Sequence, residues 1–478
     1  MASHPALIQG GMGVGISDWR LARAVSETGQ LGVVSGTALE VLLTRRLQDG
    51  DPGGDARRAL AQFPRPAVAQ WILASYFVEG GIGPDERYRQ VPRHTLETSV
   101  RLLELTVAAN FAEVWLAKEG HTGLVGINYL RKIELPLPAA LYGAMLAGVD
   151  YVLVGAGSPA DIPGLARDLA RHRPVTISVR VQGARSSDGL GDVTFDPAQV
   201  LPEGRMPLAR PRVLAIVAST DLATALATDP ASRPDGIVIE APCAGGHNAP
   251  PRGPRVIDAL GQPVYDARDD VDLDAVVALG LPVWLAGGHA TPQAFVDARA
   301  HGAAGVQVGT AFAYCDESGL DAGLKDRMRS AVADGTATSR ADWRASPTGF
   351  PFRVVDLPGT WTDPATVRDR VPVCDLGVLR GAFRTDDGGV DYHCPAEPAA
   401  QYARKGGRAI NMDGRVCLCN ALFATAGHAQ RRPGGRVEPP LVTSGSDLAP
   451  VRELLAARGS YTAREVVDYV LGGTRAVA

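Results

Sequence analysis

The side chain in this sequence best suited to proton transfer near neutral pH is a histidine set between glycines and prolines, in Ala244-Gly245-Gly246-His247-Asn248-Ala249-Pro250. An imidazole titrates close to neutrality, so a positioned histidine can take or give a proton at little cost. The two glycines before it let the backbone bend and turn the ring inward. His247 is one of 9 histidines and follows the apolar run Gly236–Glu240, which reads as a buried strand. Loops at the C-terminal ends of parallel strands are where such folds carry their chemistry. His289 follows a comparable run but reads as the start of a helix. Cys243, just before the glycines, is either a nucleophile or a small packing side chain, and packing is the simpler reading.

Two further glycine turns ask for a phosphate. One apolar run ends in Leu285-Ala286-Gly287-Gly288-His289, and the next ends in Val308-Gly309-Thr310-Ala311-Phe312. Glycine lets backbone amides approach an oxyanion, a helix start adds partial positive charge, and the Thr310 hydroxyl adds a donor. A third turn, Gln9-Gly10-Gly11-Met12-Gly13-Val14-Gly15, offers a flat backbone surface for a ring, with Met12 as an apolar contact. It lacks the offset third glycine of a dinucleotide fingerprint and an obvious ribose-binding acid. Asn128, in Gly126-Ile127-Asn128-Tyr129, is a candidate partner for the ring edge.

These turns need elements to hold them. Apolar runs at Ala6–Gln9, Gly32–Ser35, Val125–Tyr129, Tyr151–Gly155, Val213–Ser219, Gly236–Glu240, Pro282–Ala286 and Gly305–Gly309 have the continuous hydrophobicity of strands buried on both faces. Helical segments fall between them at Arg20–Thr28, Ala139–Leu146 and Pro292–Ala300. A longer one, Thr95–Lys118, carries an amphipathic stripe from Leu96 to Val114. Eight such units fit a closed parallel barrel or an open doubly wound sheet, and the chemistry of the last two turns favours the barrel. The expected fold is therefore an α/β, (β/α)8 TIM barrel over residues 1–340. It carries insertions near 50–95, with an extra strand Val68–Ile72, and near 175–204, with a hairpin. Residues 345–478 read as an irregular, cysteine-containing C-terminal appendage covering the barrel, helical only at Asp447–Leu471.

Composition narrows the partners. A net charge of -4 carries no basic footprint for nucleic acid. No apolar run reaches the roughly 20 residues of a membrane span, and the N-terminus has no signal-peptide pattern. Six cysteines in 478 residues do not form a disulfide framework, so a reducing, cytoplasmic setting is expected. Four of them, Cys374, Cys394, Cys417 and Cys419, fall in the tail, with His393 and His428 as alternate ligands. Their spacing departs from paired Cys-x-x-Cys knuckles, so unligated thiols are expected ahead of a metal or iron–sulfur site. Lys405-Gly406-Gly407 and Arg415 are basic residues that could reach the barrel mouth; a solvated surface is the simpler reading.

Taken in order, Gln9-Gly10-Gly11-Met12, Gly126-Ile127-Asn128, Ala244-Gly245-Gly246-His247, Ala286-Gly287-Gly288 and Gly305 to Phe312, followed by Glu317-Ser318, resemble the nitronate monooxygenase family, formerly 2-nitropropane dioxygenases. The resemblance covers roughly residues 5–320. It implies FMN without a metal, flavin contacts at Gln9, Gly10, Gly11, Met12, Asn128, Gly245, Gly246, Gly287, Gly288, Gly309 and Thr310, and His247 acting near the flavin N5. It also implies oxidation of an alkyl nitronate, a small molecule, with O2 to a carbonyl compound and nitrite. The run Gly246-His247-Asn248-Ala249-Pro250-Pro251-Arg252 is similar to the FMN enoyl reductases of polyunsaturated fatty-acid synthases. That alternative implies NAD(P)H and a chain held on CoA or an acyl carrier protein. Both leave a homodimer open.

Overall fold

Short apolar runs rich in β-branched residues, each cut off by glycine or a polar residue, can bury both faces only in a sheet covered all round by helices. The structure, a computed structural model, describes residues 4–185, 188–201 and 206–472. Its main sheet has eight parallel strands: β1 (Leu7–Gln9), β2 (Gly32–Ser35), β3 (Val125–Leu130), β4 (Tyr151–Gly155), β5 (Arg212–Val217), β6 (Gly236–Glu240), β7 (Val283–Ala286) and β8 (Gly305–Val308). Neighbours pair in chain order from β2 to β8, and β8 pairs with β1, Leu7 facing Val306. The last seam is shut where Gln9 N–H donates to Leu31 O at 2.9 Å and Leu31 N–H donates to Leu7 O at 3.1 Å. The sheet is a closed barrel, and each of its eight expected strands is present to within two residues.

Alternate strand residues fill the interior. Ile8, Val33, Leu153, Val238 and Trp284 are fully buried in one cluster. The Trp284 indole N–H donates to Pro5 O at 2.9 Å, plugging the N-terminal end. Truncating a buried tryptophan costs about 3–5 kcal/mol, so this end is a floor and only the C-terminal mouth is left for a ligand.

The insertions differ in part from expectation. Val68–Ile72 is not a strand but the middle of the helix Pro66–Tyr76. A short apolar run does not separate strand from buried helix by periodicity, and Pro66 at the first turn, where no amide bond is needed, was the overlooked start signal. The long helix spans Val100–Lys118, capped by Ser99, and is buried on nearly every face rather than one. The insertion helices and Leu137–Leu146 pack around it, and its buried Glu104 and Glu113 are held by Arg65 at 2.9 Å and Arg46 at 2.5 Å. The second insertion does contain an antiparallel pair, Val175–Ser178 with Asp192–Phe195; its residues 186–187 and 202–204 lie outside the described residues.

The tail is more regular than its composition suggests. Ser339–Asp342 pairs with Phe352–Val355, and Gly381–Arg384 pairs with Val390–His393 and also with Val181–Gln182 of the second insertion. A helix spans Leu418–Thr425, and the expected Asp447–Leu471 helix is two, Ala449–Leu455 and Ala463–Val470, broken near Gly459. Leu448, Val451, Leu454 and Val466 share one core with barrel residues Leu7, Val306 and Phe312. Among the described residues no helix is long and apolar enough to cross a membrane.

Candidate active site

The main cavity lies over the C-terminal ends of β1, β3, β6, β7 and β8. Its walls include Gly10, Gly11, Met12, Asn128, Gly245, Gly246, His247, Gly287, Gly288, Gly309 and Thr310. Eleven of the twelve residues expected to touch the cofactor or to do chemistry therefore meet at one place. The twelfth, Gln9, stands behind the wall, fully buried. Its amide nitrogen donates to Ser17 Oγ at 2.9 Å and its Oε1 accepts from Val33 N–H at 2.9 Å, so it braces the first glycine turn. Ser17 Oγ in turn accepts from Met12 N–H at 2.9 Å.

Glycine is needed in these turns for stated reasons. A Cβ on Gly11 would stand 2.4 Å from Asn128 Cβ, so the first turn touches the end of β3 with no room to spare. Gly287 and Gly288 have φ of +87° and +74°, the left-handed region that glycine enters without strain. A Cβ on Gly287 would meet Cys243 Sγ at 3.1 Å. Cys243 thus packs beneath the second turn, and burial raises its thiol pKa, the opposite of what a nucleophile needs.

The histidine turn is clamped from both sides by the tail. Arg353 N–H donates to Gly246 O at 2.9 Å, and Gly246 N–H donates to Thr443 Oγ1 at 2.9 Å. His247 Nε2 lies 2.7 Å from Ser346 Oγ, which lies 2.7 Å from Thr348 Oγ1. The Phe352 ring meets the imidazole edge-on, with centroids 4.8 Å apart. Burial, helped by the positive charge of Lys132, holds the imidazole pKa well below its ordinary value. His247 is therefore neutral at physiological pH.

A second cavity opens on the other side of His247, lined by Lys132, Glu240, Arg252, Tyr265, Asp269 and Phe350 among others. Desolvation raises the Glu240 carboxyl to about 7 and lowers the Lys132 ammonium to about 7, each partly offset by the other's charge. Lys132 Nζ lies 3.7 Å over the Phe350 ring. Glu240 belongs to both cavities, as does His247.

Gln307 and a tail loop escaped the sequence reading, and His289 was read only as a helix start. The Oε1 of Gln307 is buried without a hydrogen-bond partner, as is His289 Nδ1, and both residues line the main cavity. His289 does not start a helix; Thr291 caps Pro292–Ala300. The tail loop Thr443-Ser444-Gly445 forms another wall, with Gly445 N–H donating to Thr310 Oγ1 at 2.9 Å. A polar residue inside the apolar run Gly305–Val308 was the available signal for Gln307. Of the basic tail residues, Lys405 is spent on Glu397 at 3.0 Å, and Arg415 bonds the Arg344 carbonyl at 2.9 Å, behind the wall.

The wall has donors and space that a flavin mononucleotide would fit. The glycine turns leave a cradle that Cβ atoms would fill, and the hydroxyls of Thr310, Thr443 and Ser444 stand beside it. No Lys or Arg lines this cavity among the described residues, so a phosphate would rest on neutral donors and backbone amides. The orphaned Gln307 and His289 atoms are polar groups in want of a partner, which a ring edge can supply.

Residues 194–348 match the family model of nitronate monooxygenase. That segment runs from β5 through β8 and contains the His247 turn, both phosphate-type glycine turns and Ser346, so the resemblance read from the sequence holds there. A Mycobacterium tuberculosis protein, (3aS,4S,5R,7aS)-5-hydroxy-7a-methyl-1-oxo-octahydro-1H-indene-4-carboxyl-CoA dehydrogenase, is 31% identical over 122 residues, 25% of this chain. The match spans 29% of that relative's length. Among solved structures, nitroalkane oxidase from Streptomyces ansochromogenes aligns over 98% of this chain and 95% of its own at 15% identity, with a TM-score of 0.48. FabK from Thermotoga maritima covers 98% and 92% at 16% identity and 0.46. The enoyl reductase domain of MlnA from the macrolactin cluster of Bacillus amyloliquefaciens covers 98% and 94% at 12% and 0.49.

Proposed function

We propose that this chain is an FMN-dependent oxidoreductase that oxidises a carbanion, with an alkyl nitronate and O2 as the leading substrate pair. The observation that carries the reading is a neutral His247 at the junction of a glycine-walled cavity and a cavity bearing Lys132 and Arg252. FMN, when bound, supplies the electron acceptor that O2 reoxidises. Gly287, Gly288, Gly309 and Thr310 would hold its phosphate, and Gly10, Gly11, Met12 and Asn128 its ring. His247, neutral through burial and oriented by Ser346, accepts a proton from the carbon beside the nitro group or donates a hydrogen bond to the nitronate. Lys132 and Arg252 offer positive charge to the anion, and Phe350 fixes Lys132 by lying under its ammonium.

Anaerobic mixing with a panel of nitronates should bleach the flavin's visible absorbance, and admitting O2 should restore it with release of nitrite. A flavin inert to the whole panel sinks the reading. The pH profile sharpens it. A lowered histidine pKa means kcat/KM stays level through the ordinary imidazole value of about 6.5. Activity then falls above about 7, where Glu240 gains negative charge and Lys132 loses positive charge, both against an anionic substrate. Glu240→Gln should weaken that fall; an unchanged profile would remove Glu240 from the account.

A second reading has its own observation in favour. Glu240, with a pKa of about 7, retains a proton near neutrality and faces the second cavity, where it could protonate the α-carbon of an enoyl chain. Lys132 and Arg252 would then meet the anionic arm of CoA or of a carrier-bound chain. In that case NAD(P)H reduces the flavin rapidly with no nitro compound present.

A further inference from the structure

A cavity of about 560 Å³ lies between the first insertion and the tail, and it shares no wall residue with the main cavity or the one beside it. Its volume falls within the range of about 300–1,000 Å³ usual for small-molecule sites. Seven arginines line it, in a chain whose net charge is -4. Three of them are met by carboxylates. Arg370 and Arg432 share the fully buried Glu438 at 2.7 and 2.6 Å, and Arg431 pairs with Asp49 at 3.0 Å. The other four, Arg45, Arg87, Arg89 and Arg436, form no ion pair among the described residues. The wall itself carries two acids, Asp369 and Asp375. With Glu438 and Asp49 included, seven positive charges face four negative ones.

Arg45 makes the imbalance pointed. It stands on the helix Leu39–Gln48 and is only 3% exposed. Its Nη1 donates to His428 O at 2.5 Å, and its guanidinium lies over the Tyr88 ring at 4.9 Å and the Phe423 ring at 4.6 Å. Those rings offset part of the cost of burying the charge. Burial nevertheless lowers the Arg45 pKa, although Asp375 and Asp49 act at a distance to raise it. A guanidinium stays charged in a protein, and a buried charge ordinarily has an anion beside it. Arg45 is thus held in place for an anion that the chain itself does not supply.

The rim adds the other half of the recognition. Val371, Val373 and Val437 line the cavity and are exposed, an apolar edge beside unmatched guanidiniums. Arginine forks bind phosphate oxygens in pairs, and a diphosphate ester carries about three negative charges, the size of the excess. We propose that this cavity is a second ligand site, which binds an organic diphosphate of the nucleotide class through Arg45, Arg87, Arg89 and Arg436. The organic portion rests on the valines. One wall separates this ligand from the cofactor: Phe423, beneath Arg45, lines the main cavity, and the segment 373–379 gives Val373 and Leu376 to one cavity and Val378 and Leu379 to the other. The inference does not rest on the proposed reaction.

The test is calorimetric titration of the full chain, kept saturated with FMN, using ADP and inorganic pyrophosphate as probes. One ADP per chain is expected, with a Kd below about 0.1 mM and no release of FMN, and pyrophosphate should bind at least tenfold more weakly. Replacing Arg87 and Arg436 together with Gln should weaken ADP binding at least tenfold; both side chains are exposed and unpaired, so the melting temperature should not move. Arg404→Gln, at an exposed position elsewhere in the tail, and Arg252→Gln, in the cavity beside His247, should leave ADP affinity unchanged. Wild-type chain that binds no ADP, ADP that expels FMN, or pyrophosphate binding as tightly as ADP would each overturn the proposal. So would an unmoved affinity in the double variant, or a loss as large in Arg404→Gln or Arg252→Gln. The titration reads the same whether or not nitronates reduce the flavin, so failure of that reaction leaves this site standing.

Discussion

Replacing His247 with Gln should lower kcat/KM by about a hundred- to ten-thousandfold, the range expected when a positioned acid–base group is lost, while FMN content stays at the wild-type level. Glutamine keeps much of the bulk between Ser346 and Phe352 and can still bond Ser346 Oγ, so the clamp on the turn survives. It cannot take a proton at any working pH. The split separates a chemical role from a structural one: a packing residue would change cofactor content and melting temperature together with activity. Stability carries a second signature. The folded imidazole pKa lies below its unfolded value, so below about 6.5 the unfolded chain binds more protons and the folded state is progressively disfavoured as pH falls. His247→Gln removes that penalty and should lose less stability than wild type between neutral and acid pH. Wild-type turnover by the variant would end the assignment of His247.

The barrel was legible because its signal is local. Each buried parallel strand must be apolar along its whole length, and the runs that end at Gln9, Tyr129, Glu240, Ala286 and Gly309 place five turns at one mouth by topology alone. What closes that mouth was not legible. Ser346 lies 99 residues from His247 and Thr443 lies 197 residues from Gly246, and nothing in either stretch announces its partner. Hydroxyls in loops are too common, and loop closure over such lengths adds too little free energy to favour one pairing over another. Lys405 read as a solvated surface residue because its partner Glu397 sits in an irregular segment; the pairing exists only once the Val390–His393 strand is placed. The Val68–Ile72 run failed for the opposite reason: its chemistry was read, but apolar length fits a strand or a covered helix equally. Gln9 shows a third limit. Its place in the first turn was right, yet the amide turns inward to Ser17 and Val33, and side-chain direction is not written in a motif.

Gly11→Ala should weaken FMN binding at least about a hundredfold, or about 2.8 kcal/mol at 1.4 kcal/mol per tenfold, with the barrel still folded. The added Cβ would lie 2.4 Å from Asn128 Cβ, and neither atom is the free end of a flexible side chain. One of two rigid parts must yield: the first turn, braced by Ser17 against Met12 and Gln9, or the end of β3, held in the sheet. Either movement displaces a wall of the cavity by roughly an ångström, the shortfall against ordinary contact distance. Two controls identify the cause. Gly29→Ala, at φ +82° with no atom near the new methyl, should cost about 1–2 kcal/mol of stability and leave FMN affinity alone. Adding Asn128→Gly to Gly11→Ala deletes the clashing carbon, so the double variant should bind FMN more tightly than Gly11→Ala by itself, even though the Asn128 amide is lost. This non-additivity is what contact between the two positions requires. Equal FMN affinity in Gly11→Ala and wild type would mean that the turn over β1 does not face the flavin, and the cofactor would have to be placed elsewhere in the mouth.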